Sequence, residues 1–310
     1  MKAQLEFKTL TDFTDHFRNE ETCVKHYTAT RFADGEFCAH CGHKEIYSFK
    51  GGKRYRCKSC KKDFTIKTGT LFGESKLPLR KWFIAIYLLS TTSKGMSSVQ
   101  LAKHVGVTQK TAWFMAHRIR AAHHQKTEKL TGTVEVDETF IGGKAKNIHA
   151  KKRREVITGT GGINKTPIFG MKTRDGEIRA TVVTDATSAT LHPIIRENVA
   201  EGATIYSDEW RGYAGLNKDF SRGIIRHSLG EFVKGDCHTN GIESFWALFK
   251  RGYHGVYHQM SKKHLQRYVN EYAFRFNHKT NPMQRVFLDV VQRVANTAQL
   301  PYKTLTQEPA

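Results

Sequence analysis

The hydrophobic positions in the first third of the chain recur at helical spacing. Residues 11–28 are predicted to be helical, and a second helical stretch begins near Pro78 and continues through the apolar run 82–89. Proline suits the first turn of a helix, since the N–H that it lacks would have no acceptor there.

Within residues 96–120 the apolar positions follow two short helical repeats. Gly106 separates them and predicts a turn, and Thr108 is a suitable N-cap for the second helix because its side-chain oxygen accepts a backbone N–H. The stretch therefore has the size and the turn of a helix–turn–helix.

Beyond residue 131 the pattern changes to short apolar runs that are typical of strands. Strands are predicted in four segments, which are 133–142, 167–185 (a hairpin that turns at Asp175-Gly176), 203–208 and 224–229. A helix is expected over 187–200, and the pattern is helical again from His238 onward, with Asn281-Pro282 opening the last helix. This order of elements indicates an α/β domain from about 131 to 295.

The net charge of the chain indicates what kind of partner it binds. The chain has 310 residues, a formal net charge of +21 and a pI of about 9.8. Self-repulsion on this scale favours a polyanionic partner, and nucleic acid is the first candidate. An anionic membrane surface is the alternative, but no basic amphipathic helix with a clean apolar face supports it.

The N-terminal residues carry no apolar signal-peptide core, and the longest apolar run, at 82–89, is too short to span a bilayer. We therefore expect a soluble protein of the cytoplasm with no membrane partner, whose cysteines stay reduced.

Four of the six cysteines form two matched pairs, Cys38-x2-Cys41 and Cys57-x2-Cys60. Fifteen residues separate the pairs, which is the spacing of a four-cysteine zinc ribbon. Each pair can direct two thiolates at one tetrahedral ion, so we predict a structural Zn²⁺ site. His40 and His43 are alternative ligands within the cluster. A redox role is the weaker alternative, since it usually involves one pair beside a βαβ unit.

The second helix of the 96–120 stretch would enter the DNA major groove by its N-terminal end. Gln109, Lys110 and Trp113 are the candidate base-contacting residues, and Arg118 further along is a candidate for phosphate contacts. A helical hairpin that only joins two domains is the alternative, but the neighbouring cysteine cluster and the net charge favour DNA binding.

Three carboxylates lie on separate predicted elements, as phosphoryl transfer by two metal ions requires. Asp137 lies within a strand, where an aspartate is costly unless it is paired or bound to metal. Asp208 ends the next apolar strand. Glu243 lies on a predicted helix, with Asn240 one turn before it and Lys250 two turns after it, near the same face.

Neighbouring acidic residues have simpler interpretations. Glu135 and Glu138 flank Asp137 and are expected to face solvent. Asp185 also ends a strand and is a rival metal ligand. The cluster 236–238 is a weak metal candidate, because an adjacent cysteine and histidine cannot both chelate one ion easily.

The segment 144–165 interrupts the domain with a basic run followed by glycines, and we interpret it as a loop between two strands. Four of its basic residues are candidates for contacts with DNA: Lys151, Lys152, Arg153 and Arg154. A charge run of this kind is more often a solvated loop.

Taken together, these features resemble the bacterial insertion-sequence transposases with an N-terminal zinc ribbon, a group related to the Merlin-type elements of eukaryotes. The resemblance covers most of the chain. It is carried by RFADGEFCAHCG, VEVDETFIGG and YSDEWRGY, and above all by HTNGIESFWALFKRGYHGVYHQMSKKHLQRYVNEYAFRFN.

The resemblance implies an α/β fold in which a ribonuclease-H-like catalytic domain is preceded by a small zinc ribbon and a helix–turn–helix. The expected domains are 1–72 (N-terminal helices and zinc ribbon), 73–130 (helix–turn–helix), 131–295 (catalytic, with the basic loop 144–165) and 296–310 (C-terminal tail).

It also implies a DDE-type acidic triad that holds two Mg²⁺ or Mn²⁺ ions, formed by Asp137, Asp208 and Glu243. We favour Glu243 over Asn240 as the third ligand, because an anionic oxygen binds magnesium more strongly than an amide does. Asn240 would then orient water or phosphate. Lys250 matches the basic residue of the family, and with Arg251 it would hold the DNA backbone near the cut.

The implied activity is that of a transposase, which binds the terminal inverted repeats of its own element, cuts a phosphodiester bond and joins the freed 3′-hydroxyl to target DNA. Such proteins act as homo-oligomers, at least dimers, and the expected location is the bacterial cytoplasm at the nucleoid. The alternatives are a non-catalytic or domesticated DNA-binding regulator, and a ribonuclease-H-like nuclease that cuts without joining.

Overall fold

The computed structural model of the protein describes residues 7–49, 51–125, 127–143, 165–174 and 176–307. The chain divides into two compact units, Met1–His124 with Thr280–Ala310, and Gln125–Lys279. It therefore leaves the first unit, forms the second and returns to the first.

The first unit opens with two helices, α1 (Leu10–His16) and α2 (Glu20–Arg31). The predicted helical stretch 11–28 is confirmed apart from a break at residues 17–19. The side chain of Asn19 accepts the backbone N–H of Thr22, so a new helix begins at this N-cap.

A small antiparallel sheet follows, with strands β1 (Ile46–Phe49), β2 (Arg54–Cys57) and β3 (Asp63–Phe64). Three helices come next, α3 (Leu79–Thr91), α4 (Ser98–Val105) and α5 (Gln109–Ala121). Gly106 ends α4 in the left-handed conformation, with φ of 67°, and Thr108 caps α5 by accepting the backbone N–H of Thr111. The predicted turn and N-cap are confirmed.

A five-stranded sheet forms the centre of the second unit, with strands β4 (Thr133–Ile141), β5 (Thr166–Thr173), β6 (Ile178–Val182), β7 (Thr204–Asp208) and β8 (Ser221–Ile225). The strands lie in the order β6-β5-β4-β7-β8. β4, β5 and β6 pair antiparallel, whereas β7 and β8 run parallel to β4. β8 replaces the strand predicted at 224–229, whose last residues form a 3-10 turn instead.

Helices cover both faces of this sheet: α6 (Ser188–Asn198), α7 (Asn240–Gly252) and α8 (Lys262–Asn277). Neighbouring residues of β5 contribute to different cores. Phe169 packs in the core that includes α6, and Ile168 packs in the core that includes α7 and α8. The sheet is therefore the middle layer of three.

α7 approaches the sheet closely at Gly170 of β5, the residue that pairs with Asp137. A Cβ atom at Gly170 would lie 2.6 Å from the Trp246 ring and 3.0 Å from Ile242 Cδ1, and both of these side chains belong to α7. The absence of a side chain at this position lets the helix lie directly over the centre of β4 and β5.

Two C-terminal helices complete the first unit, α9 (Met283–Asn296) and α10 (Tyr302–Thr306). α9 packs against α2 and α3, and the ring of Phe287 contacts Phe13 and Phe83. The sequence pattern assigns residues 280–295 to the catalytic domain, whereas Thr280–Ala310 belong to the first compact unit. Helical periodicity identifies an apolar face but not the core that it joins.

No helix within the described ranges is both long enough and apolar enough to cross a lipid bilayer.

We expect Gly170→Ala to destabilise the second unit by about 1–3 kcal/mol, because the added methyl group would overlap a packed indole ring. Urea unfolding followed by tryptophan fluorescence measures the change. Gly143→Ala is the control, since a Cβ atom there meets nothing within 4 Å. Equal destabilisation by both substitutions would contradict the close approach at Gly170.

Candidate active site and metal centre

The cysteines of the two CxxC pairs meet at one point of the first unit. Their Sγ atoms all lie within 4.8 Å of one another, with 3.7 Å between Cys38 and Cys60 and 3.6 Å between Cys41 and Cys57. Thiolates bound at ~2.3 Å around a tetrahedral zinc ion would be about 3.8 Å apart, so the cluster fits this ion. Among the described residues, no other set of three or more His, Cys, Asp or Glu ligand atoms meets as closely.

The two histidines near the cluster are directed elsewhere. His40 Nε2 lies 3.2 Å from the carbonyl oxygen of Asp63, and His43 Nε2 lies 3.8 Å from a carboxylate oxygen of Glu45. Backbone N–H groups of the loops donate to two of the cysteine sulfurs, as is favourable for thiolates. The four cysteines therefore form the complete candidate ligand set.

In the second unit, three elements supply the candidate acidic triad. Asp137 lies in the middle of β4, Asp208 is the last residue of β7 and Glu243 lies in the first turn of α7. The parallel register pairs Glu135 with Tyr206, so two residues further on Asp137 lies level with Asp208. Alternation along β4 places Asp137 on the face that α7 covers.

The electrostatics of the triad reflect this convergence. Burial, and then the charges of Glu138, Asp208 and Glu243, raise the pKa of Asp137 to about 8. The pKa of Asp208 is also raised, by burial first and by the charge of Glu209. Carboxylates that repel one another in this way are stabilised by a cation between them. The all-oxygen donor set fits a hard divalent ion.

α7 presents one polar, exposed face, which carries Asn240, Glu243, Lys250 and Arg251. The carboxylate of Glu243 accepts a hydrogen bond from Thr239 Oγ1 at 2.7 Å and lies 3.7 Å from His227 Nε2. The opposite face of the helix is apolar and packs against the sheet. The helix can therefore present a carboxylate, an amide and two cations to a common ligand.

Asp185, the rival strand-end carboxylate, has a different role. It accepts hydrogen bonds from the backbone N–H and hydroxyl of Thr187 and from the hydroxyl of Thr190. These bonds hold the pKa of Asp185 well below its usual range. The residue fixes the start of α6.

The expectation that Glu135 and Glu138 face solvent is wrong. Glu135 is 1% exposed. Glu138 accepts a hydrogen bond from the hydroxyl of the buried residue Tyr213, and burial raises the pKa of Glu138. Helices cover both faces of the sheet, so Glu135 is buried and Glu138 is half-buried. A cluster of acids within a strand rich in valine was the available signal that β4 is unusual.

The N-terminal end of α5 is exposed, as the DNA-contact prediction requires. Gln109 Nε2 donates to Ser98 Oγ at 2.8 Å, and Lys110 Nζ lies 5.1 Å from the ring centroid of Tyr302. Trp113 is half-buried. Gln109 and Lys110 therefore offer polar groups at this surface.

The prediction that Arg118 contacts phosphate is wrong. Its side chain is buried, donates to the carbonyl oxygens of Gly73 and Leu300, and lies over the ring of Phe114. Arg118 occupies the inward face of α5, where it satisfies carbonyl groups of the first unit. Lys151, Lys152, Arg153 and Arg154 lie outside the described residues.

Comparison with known proteins agrees with this architecture. The profile of the ISXO2-like transposase domain matches residues 129–277, and the profile of the transposase zinc-ribbon domain matches residues 18–63. The class of protein is therefore a transposase with an N-terminal zinc ribbon, as the sequence resemblance implied.

Two relatives extend the match. A protein of Halobacterium salinarum described as "Uncharacterized protein in transposable element ISH50" is 29% identical over 271 residues, covering 84% of this chain and 91% of the relative. An "Uncharacterized transposase-like protein" of Haemophilus influenzae is 36% identical over 102 residues, which are 33% of this chain and 81% of the relative. The chain belongs to the ISXO2-like transposase family.

For the cysteine cluster, we expect the purified protein to contain about one zinc ion per chain, because four thiolates satisfy the tetrahedral ion. Cys60→Ser should lose most of this zinc, whereas Cys23→Ala should retain it, since Cys23 is buried apart from the cluster. Elemental analysis by mass spectrometry measures the content. Full zinc occupancy in Cys60→Ser would contradict the assignment.

For the triad, we expect Asp137→Asn to stabilise the protein when no Mg²⁺ or Mn²⁺ is added. In the folded protein the pKa of Asp137 is raised to about 8, above its ordinary value. The free energy of unfolding of the wild type therefore falls as pH rises from the ordinary pKa towards 8. The increase in the free energy of unfolding of Asp137→Asn over the wild type should be roughly 1–3 kcal/mol larger at pH 8 than at pH 5.

Urea unfolding at these two pH values tests this expectation. Asp219→Asn is the control, since that carboxylate is exposed and paired with Arg196. A gain in Asp137→Asn that does not change with pH would contradict the assignment of a raised pKa.

Proposed function

We propose that this protein is a DNA transposase that binds the terminal inverted repeats of its own element, cuts the DNA and joins the freed 3′-hydroxyl to target DNA. The observation that supports the proposal is the position of Asp137 in the sheet, level with Asp208 and exposed to the charges of Asp208 and Glu243. These three residues come from a central strand, a neighbouring strand end and a helix, and the charges of Asp208 and Glu243 both raise the pKa of Asp137. Acids gathered from separate elements are what phosphoryl transfer by two metal ions requires.

We assign the second unit to the ribonuclease-H-like fold. The order β6-β5-β4-β7-β8 supports this assignment, since three antiparallel strands are followed by two strands parallel to the first. The first strand and the fourth then carry Asp137 and Asp208 at the same level, beneath the helix with Glu243.

Asp137, Asp208 and Glu243 would hold two Mg²⁺ or Mn²⁺ ions. When bound, these ions supply an activated water and neutralise the charge that develops on the attacking and leaving oxygens. Asn240, one turn before Glu243, would orient water or phosphate with its amide. Lys250 and Arg251 would hold the DNA backbone beside the cut by charge, since both are exposed near the same helix face.

We propose that α4 and α5 act as a DNA-binding helix–turn–helix. Gln109 and Lys110 lie exposed at the N-terminal end of α5, the position from which a recognition helix contacts base edges. Trp113 would contribute from one turn further along. The zinc ribbon would stabilise the same unit with its Zn²⁺ ion, and Lys151, Lys152, Arg153 and Arg154 would contact flanking or target DNA.

The proposed joining of DNA ends to a target implies that several copies of the chain act together. Two ends of one element must be held together before both are inserted at a single target. We therefore propose that the active species is a homo-oligomer, at least a dimer.

We expect Asp208→Ala to reduce Mg²⁺-dependent cleavage of end DNA by about 10²–10³-fold or more, because it removes one member of the triad. Binding to the same DNA should persist, since Asp208 belongs to the other unit than α4 and α5. Gel assays of cleavage and of mobility shift measure the two properties, and Asp219→Asn is the control.

The outcomes separate the candidate functions. Unchanged cleavage by Asp208→Ala would refute the triad. DNA binding by the wild-type protein with no cleavage would favour a regulator. Cleavage with no joined product from pre-cut ends would favour a stand-alone nuclease.

A further inference from the structure

Glu135 lies on β4 two residues before Asp137 and on the same face of the sheet. Its side chain is enclosed beneath α7. One carboxylate oxygen accepts the backbone N–H of Ile242 at 2.9 Å, and the other lies 3.2 Å from Arg174 Nη1. Strand β4 therefore contacts the first turn of the helix that carries Glu243.

This contact takes the place of an ordinary helix cap. Ile242 is the third residue of α7, so its N–H has no acceptor within the helix. The N-cap residue Thr239 makes no side-chain cap hydrogen bond, and its hydroxyl donates to Glu243 instead. The carboxylate of Glu135 supplies both an acceptor and a negative charge to the positive end of the helix.

The fit around this contact is close. Glu135 pairs across the sheet with Lys172 of β5, which is also buried. A Cβ atom at Gly241 would lie 2.8 Å from Glu135 Oε2 and 2.9 Å from Lys172 Nζ. Glycine therefore lets the first turn of α7 rest directly on these two charged groups.

Arg174, which lies beside Glu135, also contacts the residues that precede α7. Its guanidinium donates to the carbonyl oxygen of Asp236 and contacts the ring of His238. Its backbone N–H donates to the carbonyl oxygen of Thr133 at the start of β4. The entry to the helix and its first turn are thus both tied to one strand.

We propose that Glu135 is a positioning residue of the active site, which fixes the first turn of α7 so that Glu243 and Asn240 lie at a set distance from Asp137. The inference rests on the proposed function, because it takes Asp137 and Glu243 as ligands of shared cations. Glu135 and Asp137 belong to one strand, and Glu243 directly follows Ile242. Loss of the contact between Glu135 and the N–H of Ile242 would therefore move Glu243 relative to Asp137.

A purely structural buried carboxylate would act differently from a positioning residue. Its loss would lower stability without changing the affinity for cations in the protein that remains folded. Glu271 provides the comparison, since it is equally buried in the same unit and pairs with Arg275 on α8, away from the start of α7.

The test measures Mn²⁺ binding to the full-length protein by electron paramagnetic resonance, together with thermal unfolding. We expect Glu135→Ala and Gly241→Ala to weaken Mn²⁺ binding by about 10–100-fold, as loss of residues that orient metal ligands does. Glu135→Gln should lie closer to the wild type, because its amide oxygen still accepts the N–H of Ile242. Glu271→Ala should unfold at a lower temperature and bind Mn²⁺ like the wild type.

Cleavage assays provide an independent readout. Glu135→Ala should need more Mn²⁺ for half-maximal cleavage and should regain much of its rate at saturating Mn²⁺. If Glu135→Ala does not fold, Gly241→Ala decides, since it removes no charged group and shifts the first turn of α7 away from Glu135 and Lys172.

The outcomes distinguish the inference from the function on which it rests. Wild-type Mn²⁺ affinity in folded Glu135→Ala or Gly241→Ala would overturn the positioning role, as would an equal loss of affinity in Glu271→Ala. A wild-type protein that neither binds Mn²⁺ nor cleaves DNA would overturn the proposed function itself.

Discussion

Negative charge enclosed between two layers of helices is the constraint on which the second unit depends. β4 is the central strand, both of its faces are covered, and yet it carries three acids within four residues. Each is compensated differently: Glu135 by a helix N-terminus and Arg174, and Glu138 by the hydroxyl of Tyr213. Asp137 faces further carboxylates, which help to raise its pKa to about 8. A cation bound beside Asp137, as proposed, would offset the free energy that burying this charge costs.

Two electrostatic fields of opposite sign therefore coexist in the protein. The chain as a whole carries a net charge of +21, and a charge of this sign would attract the phosphate backbone of the proposed DNA partner over long distances. The acids of β4 would repel the same phosphates unless a cation neutralised them. Lys250 and Arg251 are exposed on α7, two turns beyond Glu243. The excess of positive charge over the whole chain and the cluster of acids on β4 would thus act on DNA in opposite ways.

Much of this arrangement could be predicted from the sequence, and the exceptions have physical causes. The paired cysteines, the turn at Gly106, the cap at Thr108 and the strand with Asp137 each depend on local spacing or on a residue with one strong preference. Burial depends on tertiary packing instead. Arg118 fits a phosphate-contacting position on its helix, but it turns inward to satisfy two carbonyl groups. Glu135 looked solvated because the sequence does not show that α7 covers it.

The return of α9 to the first unit has a consequence for the order in which the protein folds during synthesis. Residues 125–279 are contiguous, so the second unit has all of its chain before the first unit does. Phe287, at the centre of the aromatic core formed with Phe13 and Phe83, is translated last among these three. The apolar surface of the N-terminal segment that packs against α9 therefore stays uncovered until residues 283–296 have been synthesised. A chain that stops early yields no completed first unit, whatever the state of the second.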